Sequence, residues 1–340
     1  MRKLATVQKI KDLLPIKGAD KIELATLQNK TWKVVVAKGL HKINDTIVYC
    51  EIDSLLPVRP EFEFLRLSSY TTEYGGEGFR LRTVKLRNQV SQGLILPLNI
   101  LPIDTVNLSI GQDVTEMLGI RLAEKEIDMS AIDLIKAAFP ADVPKTEMER
   151  IQNVPDFVEE HAGEEFIVTE KLDGDSTTPF LKPISDDNSK LRFGICAKTV
   201  EMIVDEKNFY GRYAIENKLE EKFRSLNEIC VLQGEYLPKQ GYYDLPESGI
   251  YFFRKIDPLN YSACSWEELK ATTEKLGLKM VPIISENYIL PNTAEELLKE
   301  ANGMSVLNPK RKREGIVLTL KSDPNVWIKV ISDEDLLNKK

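Results

Sequence analysis

The sequence predicts an α+β protein of two domains: a small β-barrel or sandwich, then a larger domain of strands and helices. The chain has 340 residues, which is enough for two domains of ordinary size. Short β segments separated by turn residues fill residues 1–115. From residue 150 onward, strand and helix patterns are both present without a regular βαβ alternation.

In the first domain, residues 1–115, segments rich in Val, Ile, Thr and aromatic residues alternate with Gly, Asn, Asp or Pro. They predict strands at LATVQKI, IELATLQ, TWKVVVAKG, DTIVYCEID, RLRTVKL and QGLILPL. FRLRTVKLRN (79–88) holds four basic residues and no acidic one. A regular strand would put Arg80 and Arg82 on one face and Lys85 and Arg87 on the other, so we expect a bulge or two solvated faces. Both a charged edge strand and a nucleic-acid-facing strand of an OB-like barrel fit this segment.

Residues 116–149 combine helix-forming composition with prolines, which predicts a linker with helical segments. The second domain then covers residues 150–340. Its predicted strands are EEFIVTEKL, LRFGICAK, CVLQGEYL, SGIYFFRKI, REGIVLTL and NVWIKVI. Its predicted helices are YGRYAIENKLEEKFRSL, SWEELKATTEKLG and TAEELLKEANG.

Composition excludes several classes of protein. No apolar run approaches the roughly 18 residues of a membrane span, so we expect no membrane contact. The four cysteines and two histidines are scattered, which argues against a disulfide scaffold or a Cys/His metal site and favours an intracellular, cytoplasmic protein.

The net charge of −7 divides into +4 for residues 1–125 and −11 for the remainder. The basic region at the front would allow phosphate contacts in an otherwise acidic chain.

Charged or aromatic residues interrupt apolar strands throughout the second domain. In chain order they are Lys171, Asp173 and Gly174 of KLDG, Lys198 of GICAKT, Glu235 of QGEYL, Phe252 and Phe253 of IYFFRK, Glu314 of REGIVL and Lys329 of WIKVIS. One such charge is typical of a solvent face, but the set as a whole suits metal-assisted nucleotidyl transfer. A deprotonated lysine amine is a nucleophile, a second lysine stabilises charge on a phosphate, and carboxylates suit hydrated Mg²⁺.

This ordered set resembles the covalent nucleotidyltransferases of the ligase and capping-enzyme superfamily. Those enzymes carry KxDG, an acidic strand, an aromatic strand, an EG strand and a lysine strand in this order. The front domain resembles the OB-like domain of ATP-dependent RNA ligases of the Deinococcus/Naegleria type. Only eleven residues follow Lys329, so we expect no C-terminal OB domain of the kind that DNA ligases and capping enzymes usually carry.

The resemblance implies an OB-like β-barrel that holds nucleic acid, then a nucleotidyltransferase domain of antiparallel sheets flanked by helices. It implies an ATP-dependent RNA ligase that uses Mg²⁺ or Mn²⁺ and joins 3′-OH and 5′-phosphate ends through lysyl-AMP and an adenylated 5′ end. The expected substrate is a nicked duplex with RNA on the 3′-OH side, and the expected state is a monomer. The alternatives are a DNA ligase, a GTP-using capping-type enzyme, and a non-catalytic nucleic-acid-binding protein with a degenerate transferase domain.

The resemblance also implies a role for each candidate residue. Lys171 would form the lysyl-AMP, and Lys329 would bind the α-phosphate. Asp173, Glu235 and Glu314 would hold the metal, mostly through water. The nucleotide pocket would further include Glu170, Gly174, Arg150, Lys198 and Phe253, which stacks on adenine, with Phe252 as the other choice for that stacking.

Two positions depart from the family's pattern. Lys198 stands where RNA ligases usually have an arginine, so the charge is kept but the bidentate fork is lost. Ile331 stands where many ligases have a second lysine. The KRKR run at 310–313 is either a replacement source of that phosphate contact or an ordinary solvated loop.

Overall fold

The computed structural model describes residues 2–102, 108–124, 129–184, 187–257 and 260–338. The chain divides into two compact units. The first unit comprises residues 1–127, 151–157 and 336–340, and the second comprises residues 128–150 and 158–335. Strands and helices are both present and largely segregated in the chain, so the predicted α+β class is confirmed.

The first unit is built mainly of short strands. These are β1 Ala5–Pro15, β2 Ile22–Leu27, β3 Lys30–Ala37, β4 Thr46–Cys50, β5 Ser54–Leu56, β6 Tyr70–Thr71, β7 Gly78–Arg80, β8 Thr83–Leu86, β9 Gln89–Gln92, β10 Leu94–Pro97 and β11 Arg121–Leu122. One α-helix, α1 Arg66–Ser69, and 3₁₀ turns at Pro60–Leu65, Leu98–Ile100 and Ile151–Asn153 accompany them. The strands form an antiparallel sheet in the order β10-β4-β1-β2-β3, a sheet in the order β11-β5-β7-β6, and a separate hairpin of β8 and β9.

All six segments predicted as strands in this region contain strands. RLRTVKL is interrupted, because β7 ends at Arg80 and β8 begins at Thr83. The interruption takes β8 out of the larger sheets into its own two-stranded hairpin, so residues 79–88 are not one regular strand, and β8 is an exposed edge. The core beneath the sheets is aliphatic and aromatic, with Val48, Phe62 and Phe79 almost fully buried.

Residues 151–157 lie with the first unit, although the sequence analysis assigned them to the second domain. A polar network holds them there. The Trp32 Nε1–H donates to Asn153 Oδ1 at 2.6 Å, and Lys30 Nζ donates to the same oxygen at 3.1 Å. Asn153 Nδ2 in turn donates to the buried Glu51 carboxylate at 3.3 Å. A hydrogen-bond network of this kind cannot be read from the spacing of residues in the chain.

The segment expected to be a linker with helical pieces, residues 116–149, forms different elements. Its described part holds β11, a 3₁₀ turn at Met129–Leu134, and strand β12 at Ile135–Ala138, while residues 125–128 lie outside the described residues. β12 pairs with a strand near residue 201, with Ile135 opposite Met202. This tertiary pairing overrides the local helix propensity of the segment.

The second unit continues with eleven further strands and six helices among its described residues. The strands are β13 Glu165–Lys171, β14 Asp175–Ile184, β15 Asp187–Cys196, β16 Val200–Met202, β17 Cys230–Leu237, β18 Gly249–Asp257, β19 Ser262–Ala263, β20 Lys279–Met280, β21 Ile283–Ile289, β22 Gly315–Leu320 and β23 Trp327–Ile331. The helices are α2 Phe157–Glu160, α3 Phe209–Glu216, α4 Leu219–Arg224, α5 Trp266–Leu276, α6 Ala294–Ala301 and α7 Asp333–Asn338, with α2 and α7 crossing the limits of the two units.

Two sheets organise the second unit. The larger has eight strands in the order β12-β16-β15-β14-β17-β18-β19, with β20 beside β18. The smaller has the order β21-β13-β22-β23. Neighbouring strands are antiparallel except for the parallel pair β18 and β20. Leu232, Phe223 and Phe252 are fully buried in a core between the larger sheet and the helices beside it.

The predicted helices of the second unit form, and their ends follow the capping rules. Ser265 and Thr293 each begin a helix with a capping box, and Gly277 ends α5 in the left-handed conformation. The expected helix over 210–226 is split into α3 and α4 at Lys218, which has a φ of 51°. Among the described residues, no helix is long and apolar enough to cross a membrane. All four cysteines carry free thiols.

Candidate active site

The KLDG segment connects the two sheets of the second unit. β13, in the smaller sheet, ends at Lys171, and β14, in the larger sheet, begins at Asp175. The Asp173 N–H donates to the Tyr243 hydroxyl at 2.8 Å, and the Gly174 N–H donates to Glu235 Oε1 at 3.1 Å. These bonds hold the loop against β17 and the segment that follows it, and they place Lys171 where the two sheets meet.

Gly174 is required by close packing. A Cβ atom at this position would lie 2.4 Å from the backbone oxygen of Tyr236 and 2.5 Å from Leu237 Cδ2. Real Cβ atoms do not approach a carbonyl oxygen this closely, so a larger residue would push the loop away from β17. The glycine of KLDG is therefore explained by packing, which also fixes the two residues before it.

Lys171 is paired with Glu314. Their atoms Nζ and Oε2 are 2.5 Å apart, with 21% of the lysine side chain and 9% of the glutamate side chain exposed. The backbone explains the meeting, because Lys171 stands opposite Gly315 in the β13–β22 ladder and Glu314 comes immediately before it. The carboxylate favours the charged ammonium form of the lysine, so the amine must be separated from this partner before it can act as a nucleophile.

A cavity of about 300 Å³ opens at this pair. Residues from both sheets line it: Thr146, Met148, Thr169, Glu170, Lys171, Leu172, Asp173, Gly174, Ser176, Lys198, Glu235, Phe253, Trp266, Val281, Glu314, Val317, Thr319, Trp327 and Lys329. Nine of the eleven residues singled out from the sequence belong to this lining. The other two, Arg150 and Phe252, do not.

The carboxyl group of Glu235 has a strongly raised pKa. Its pKa is raised to about 7, chiefly by burial and also by the neighbouring Glu314 and Asp175, while Lys171 and the Gly174 N–H oppose the shift. Burial also raises the pKa of Asp175, with a smaller contribution from Asp173. The site thus concentrates more negative charge than its lysines neutralise, and it favours an additional cation.

Glu170 is a buried acidic residue at the wall of the cavity. Its side chain is 1% exposed, and Oε2 accepts a hydrogen bond from the Val306 N–H at 2.8 Å. Burial raises the pKa of this carboxyl, while the Ser305 hydroxyl, the Val306 N–H and Arg313 oppose the shift. A buried carboxyl group at the cavity wall offers a hydrogen-bond acceptor to a ligand in the cavity.

Phe252 and Phe253 are separated by a β-bulge. Gln233 pairs with Arg254 and Gly234 with Phe252, so Phe253 is the extra residue on β18. Phe253 lines the cavity and lies 6.3 Å from the Trp327 ring, at 32° to its plane. Phe252 is fully buried in the core, so the alternative that it faces the nucleotide is not supported by its position.

Arg150 lies beside Lys329 rather than in the cavity wall. The two residues form an isolated parallel backbone bridge, and the Lys329 N–H donates to the Glu149 carbonyl at 3.1 Å. The Arg150 side chain is 9% exposed. Residues 149 and 150 therefore pack beside strand β23, which carries Lys329. This geometry does not itself provide the direct phosphate contact expected from Arg150.

Lys198 and Ile331, the two residues that depart from the family pattern, differ in their position relative to the cavity. Lys198 follows β15 and lines the cavity with an exposed side chain, so it keeps the position that the pattern assigns to a basic group. Ile331 is 3% exposed at the end of β23 and is not part of the lining.

The KRKR run does not replace the missing lysine. Arg311 pairs with Asp244 at 2.9 Å, and Lys312 pairs with Glu334. Arg313 donates to the carbonyls of residues 300, 301 and 302, where α6 ends. Arg311, Lys312 and Arg313 thus have structural partners of their own, and none of the four residues of the run lines the cavity. The phosphate contact considered for this run is therefore not supported.

The donor set of the cavity suits a hard divalent cation. Asp173, Glu235 and Glu314 supply carboxylate oxygens, which are the ligands that Mg²⁺ and Mn²⁺ prefer. Within the described residues, no three Asp, Glu, His or Cys side chains converge closely enough to hold a metal by themselves. The residues therefore fit a cation that keeps much of its hydration shell.

Sequence reasoning missed part of the lining. The missed residues are Thr146, Met148, Thr169, Leu172, Ser176, Trp266, Val281, Val317, Thr319 and Trp327. Trp327 shares strand β23 with Lys329 at a spacing of two residues, so period-2 alternation would have placed both side chains on one face. Trp266 begins helix α5 and carried no comparable signal.

Two family models match the chain. One, described as an OB-fold domain, matches residues 4–98, and one, described as RNA ligase, matches residues 164–331. A comparison with curated proteins found no match.

Solved structures of Naegleria gruberi RNA ligase are similar over nearly the whole chain. An apo form of an aspartate-to-alanine variant has 34% sequence identity and a TM-score of 0.88, and the match covers 98% of this chain and 97% of that one. A lysine-to-methionine variant with AMP and Mn has the same identity and TM-score, with 98% of each chain covered. A lysine-to-alanine variant with ATP and Mn gives the same values. The order of an OB-fold domain followed by a ligase domain, expected from the sequence, is confirmed.

Proposed function

The chain belongs to the RNA ligase family, and from this we propose that it joins 3′-OH and 5′-phosphate ends of RNA at the expense of ATP. We propose nicks in duplexes with RNA on the 3′-OH side as its substrate. The observation that carries the proposal is the position of Lys171. Its amine lies at the meeting point of two sheets, in a cavity that also holds Glu235, Glu314 and Lys329.

The proposed reaction has three steps. Lys171 Nζ, in its neutral form, attacks the α-phosphorus of ATP, so that a P–N bond forms and the bond to pyrophosphate breaks. An oxygen of a 5′-phosphate end then attacks the same phosphorus, which breaks the P–N bond and moves AMP to that end. Finally, a 3′-OH attacks the phosphorus of the activated end, a phosphodiester forms, and AMP leaves.

The residues of the cavity have separate roles in these steps. Lys329 places a positive charge for the α-phosphate oxygens, where negative charge grows during each attack. Phe253 offers a ring face for the adenine, and the buried Glu170 oxygen that has no partner among the described residues offers it a hydrogen-bond acceptor. Lys198 and Arg150 are proposed to act on phosphates, although Arg150 would have to turn towards the cavity to do so.

Asp173, Glu235 and Glu314 would hold a Mg²⁺ or Mn²⁺ ion, mostly through its waters. Such an ion neutralises charge on the phosphates and makes pyrophosphate a better leaving group. Glu314 has a second role in this scheme, because its carboxylate keeps Lys171 charged until substrates bind. The surroundings of Glu235 support its proposed role in holding the metal ion. Burial and the acidic neighbours raise the pKa of its carboxyl group, and a bound cation would stabilise the carboxylate form.

The first step is tested with ATP labelled at the α-phosphate. Wild-type protein with Mg²⁺ is expected to acquire a covalent label that survives denaturation and alkali but is released by hot acid, as expected of a P–N bond, whereas Lys171→Ala protein acquires none. The label should come from ATP in preference to GTP, and a preference for GTP would indicate a capping-type enzyme instead. An unlabelled wild-type protein would refute the ligase mechanism.

The acceptor is tested with a panel of nicked duplexes that differ only in ribose or deoxyribose at the 3′-OH end. Sealing is expected to require ribose at that end. Equal sealing of an all-DNA nick would assign the chain to DNA ligation and refute the substrate proposed for this enzyme.

We also propose that the protein acts as a monomer in the cytoplasm. The free thiols of Cys50, Cys196, Cys230 and Cys264 support a reducing compartment. Sedimentation at micromolar concentration should give the mass of one chain, and a dimer under those conditions would contradict the proposal.

A further inference from the structure

Strands β8 and β9 form a hairpin of their own in the first unit, which we call the tip hairpin (Thr83–Gln92). Its pairing runs from Thr83 opposite Gln92 to Leu86 opposite Gln89. The two-residue turn is Arg87–Asn88, with φ angles of 49° and 67°. Positive φ at both turn residues is typical of a type I′ turn, which matches the natural twist of a two-stranded ribbon.

The base of the tip hairpin is fixed. Thr83, Ser91 and Gln92 are buried. The Val35 N–H donates to Ser91 Oγ at 3.0 Å, and the Tyr49 hydroxyl donates to the Gln92 carbonyl at 3.0 Å. The ribbon is therefore held in place before any ligand binds, and a ligand would lose little free energy in ordering it.

The tip itself is exposed and basic. Arg82, Lys85 and Arg87 are exposed, and none of them forms an ion pair with a described residue. No Asp or Glu occurs anywhere from residue 78 to residue 103. Arg80, the fourth basic residue of this segment, differs because it lies over the Tyr74 ring at 4.8 Å and 3.8 Å from Asp53. The cations of the tip thus have no internal structural use.

The turn also contains a residue that the fold does not favour. A type I′ turn prefers Asn-Gly or Asp-Gly, because both positions need positive φ, and arginine is disfavoured in that conformation. Arg87 nevertheless occupies the first position, at the apex of the ribbon. A side chain kept in a strained position, with a charge that no neighbour uses, points to a ligand.

Two aliphatic side chains complete the surface. Val84 is 45% exposed and Leu86 is 42% exposed. They alternate with Lys85 along β8, so one face of the ribbon is apolar at its tip and the other is basic. A ribbon with one basic and one apolar face suits the groove of a nucleic acid, because each bordering backbone presents both phosphates and the carbon atoms of riboses.

We propose that the tip hairpin binds the sugar–phosphate backbone of an A-form duplex. The proposal rests on the proposed function, which supplies a duplex containing RNA as the substrate. An A-form duplex has a wide and shallow minor groove bordered by ribose hydroxyls. The ribbon would enter this groove edge-on, with its basic face (Lys85 and Arg87) toward the phosphates of one backbone and its apolar face (Val84 and Leu86) toward the riboses of the other.

The test uses the variant Lys85→Ala/Arg87→Gly. Glycine suits the φ of 49° at residue 87, so the turn is expected to remain or become firmer. The matched control is Lys11→Ala/Lys17→Ala, which removes the same charge from two other exposed positions of the first unit. Binding of a fluorescent nicked RNA duplex is measured by anisotropy over a series of KCl concentrations.

Loss of two phosphate contacts should lower the slope of log K against log [KCl] by about two and raise Kd about 10-fold near 0.1 M salt. The control variant should change neither quantity by more than about 2-fold. An unchanged slope and Kd in the hairpin variant would overturn the proposal. An equal loss on a B-form DNA duplex would overturn the A-form assignment.

Two further measurements keep the result interpretable. Thermal melting shows whether each variant is folded, and Lys85→Gln alone, which leaves the turn intact, should lower the slope by about one. An unchanged slope in this single variant counts against the proposal even if the double variant fails to fold. Labelling with α-labelled ATP should be equal in wild type and hairpin variants, so loss of duplex binding with normal labelling isolates the hairpin from the ligase chemistry.

Discussion

Lys171 Nζ and Glu314 Oε2 lie 2.5 Å apart although 143 positions separate the two residues in the chain. Strands β13 and β22 bring them together, because Lys171 stands opposite Gly315. The pair therefore joins the proposed nucleophile to a carboxylate that is also proposed to hold the waters of a metal ion.

The first prediction separates the chemistry of Lys171 from its ion pair. Lys171→Arg keeps a cation beside Glu314 but removes the amine, and Lys171→Met removes both. Neither variant should acquire label from ATP. Only Lys171→Met should be less stable, by about 1–3 kcal/mol in urea unfolding, because it removes the cation of an ion pair from a largely buried carboxylate. Label on either variant, or equal loss of stability in both, would show that the pair has been misread.

The second prediction concerns Gly174. Gly174→Ala should reduce labelling at least 10-fold and destabilise the second unit by about 1–3 kcal/mol, because the new Cβ meets backbone 2.4 Å away. Gly277→Ala is the control, since it is strained by a φ of 59° but has open space around it. This control should lose about 1–2 kcal/mol and keep its labelling rate. Normal labelling by Gly174→Ala would contradict the role given to the loop.

The third prediction follows from the raised pKa of Glu235, which is about 7 in the folded protein against an ordinary value near 4.5. Between these values the folded state binds more protons than the unfolded state, so stability falls as pH rises through this window. In EDTA, wild type should lose about 2–3 kcal/mol of stability from pH 4.5 to pH 7.5 relative to Glu235→Gln. Parallel curves for the two proteins in urea unfolding would disprove this assignment.

The fourth prediction uses the two neighbouring phenylalanines. Phe253→Ala should raise the ATP concentration needed for half-maximal labelling about 10-fold, because a stacking surface for adenine is lost, while melting changes little. Phe252→Ala should instead cost about 3–5 kcal/mol of stability, because it empties part of a fully buried core. The reverse pattern would mean that Phe252, and not Phe253, faces the nucleotide.

Much of the chemistry could be predicted from the chain alone. Lys171, Asp173, Glu235, Glu314 and Lys329 were singled out because each places a charge within or at the end of an apolar strand, and all five line one cavity. The strands and capped helices that carry them were also predictable, since periodicity, turn residues and capping boxes are local signals.

Other features depended on partners that are distant in sequence. The KRKR run has the composition of a phosphate-binding loop, but Asp244, Glu334 and the end of α6 occupy three of its four side chains. The segment 116–149 has helical composition, but pairing with β16 makes part of it a strand. Neither result has a local signal, because the competing partner lies far along the chain.

Residue type and short-range periodicity were enough to predict the α+β class, most of the strands and helices, and the identity of the reactive groups. Only the tertiary structure decided which groups meet. Sheet register brought Lys171 to Glu314, a bulge turned Phe253 to the cavity and left Phe252 in the core, and close packing at Gly174 fixed the loop. The physical reason is that register and bulges are set by the summed burial of whole strands, which a single stretch of residues does not contain.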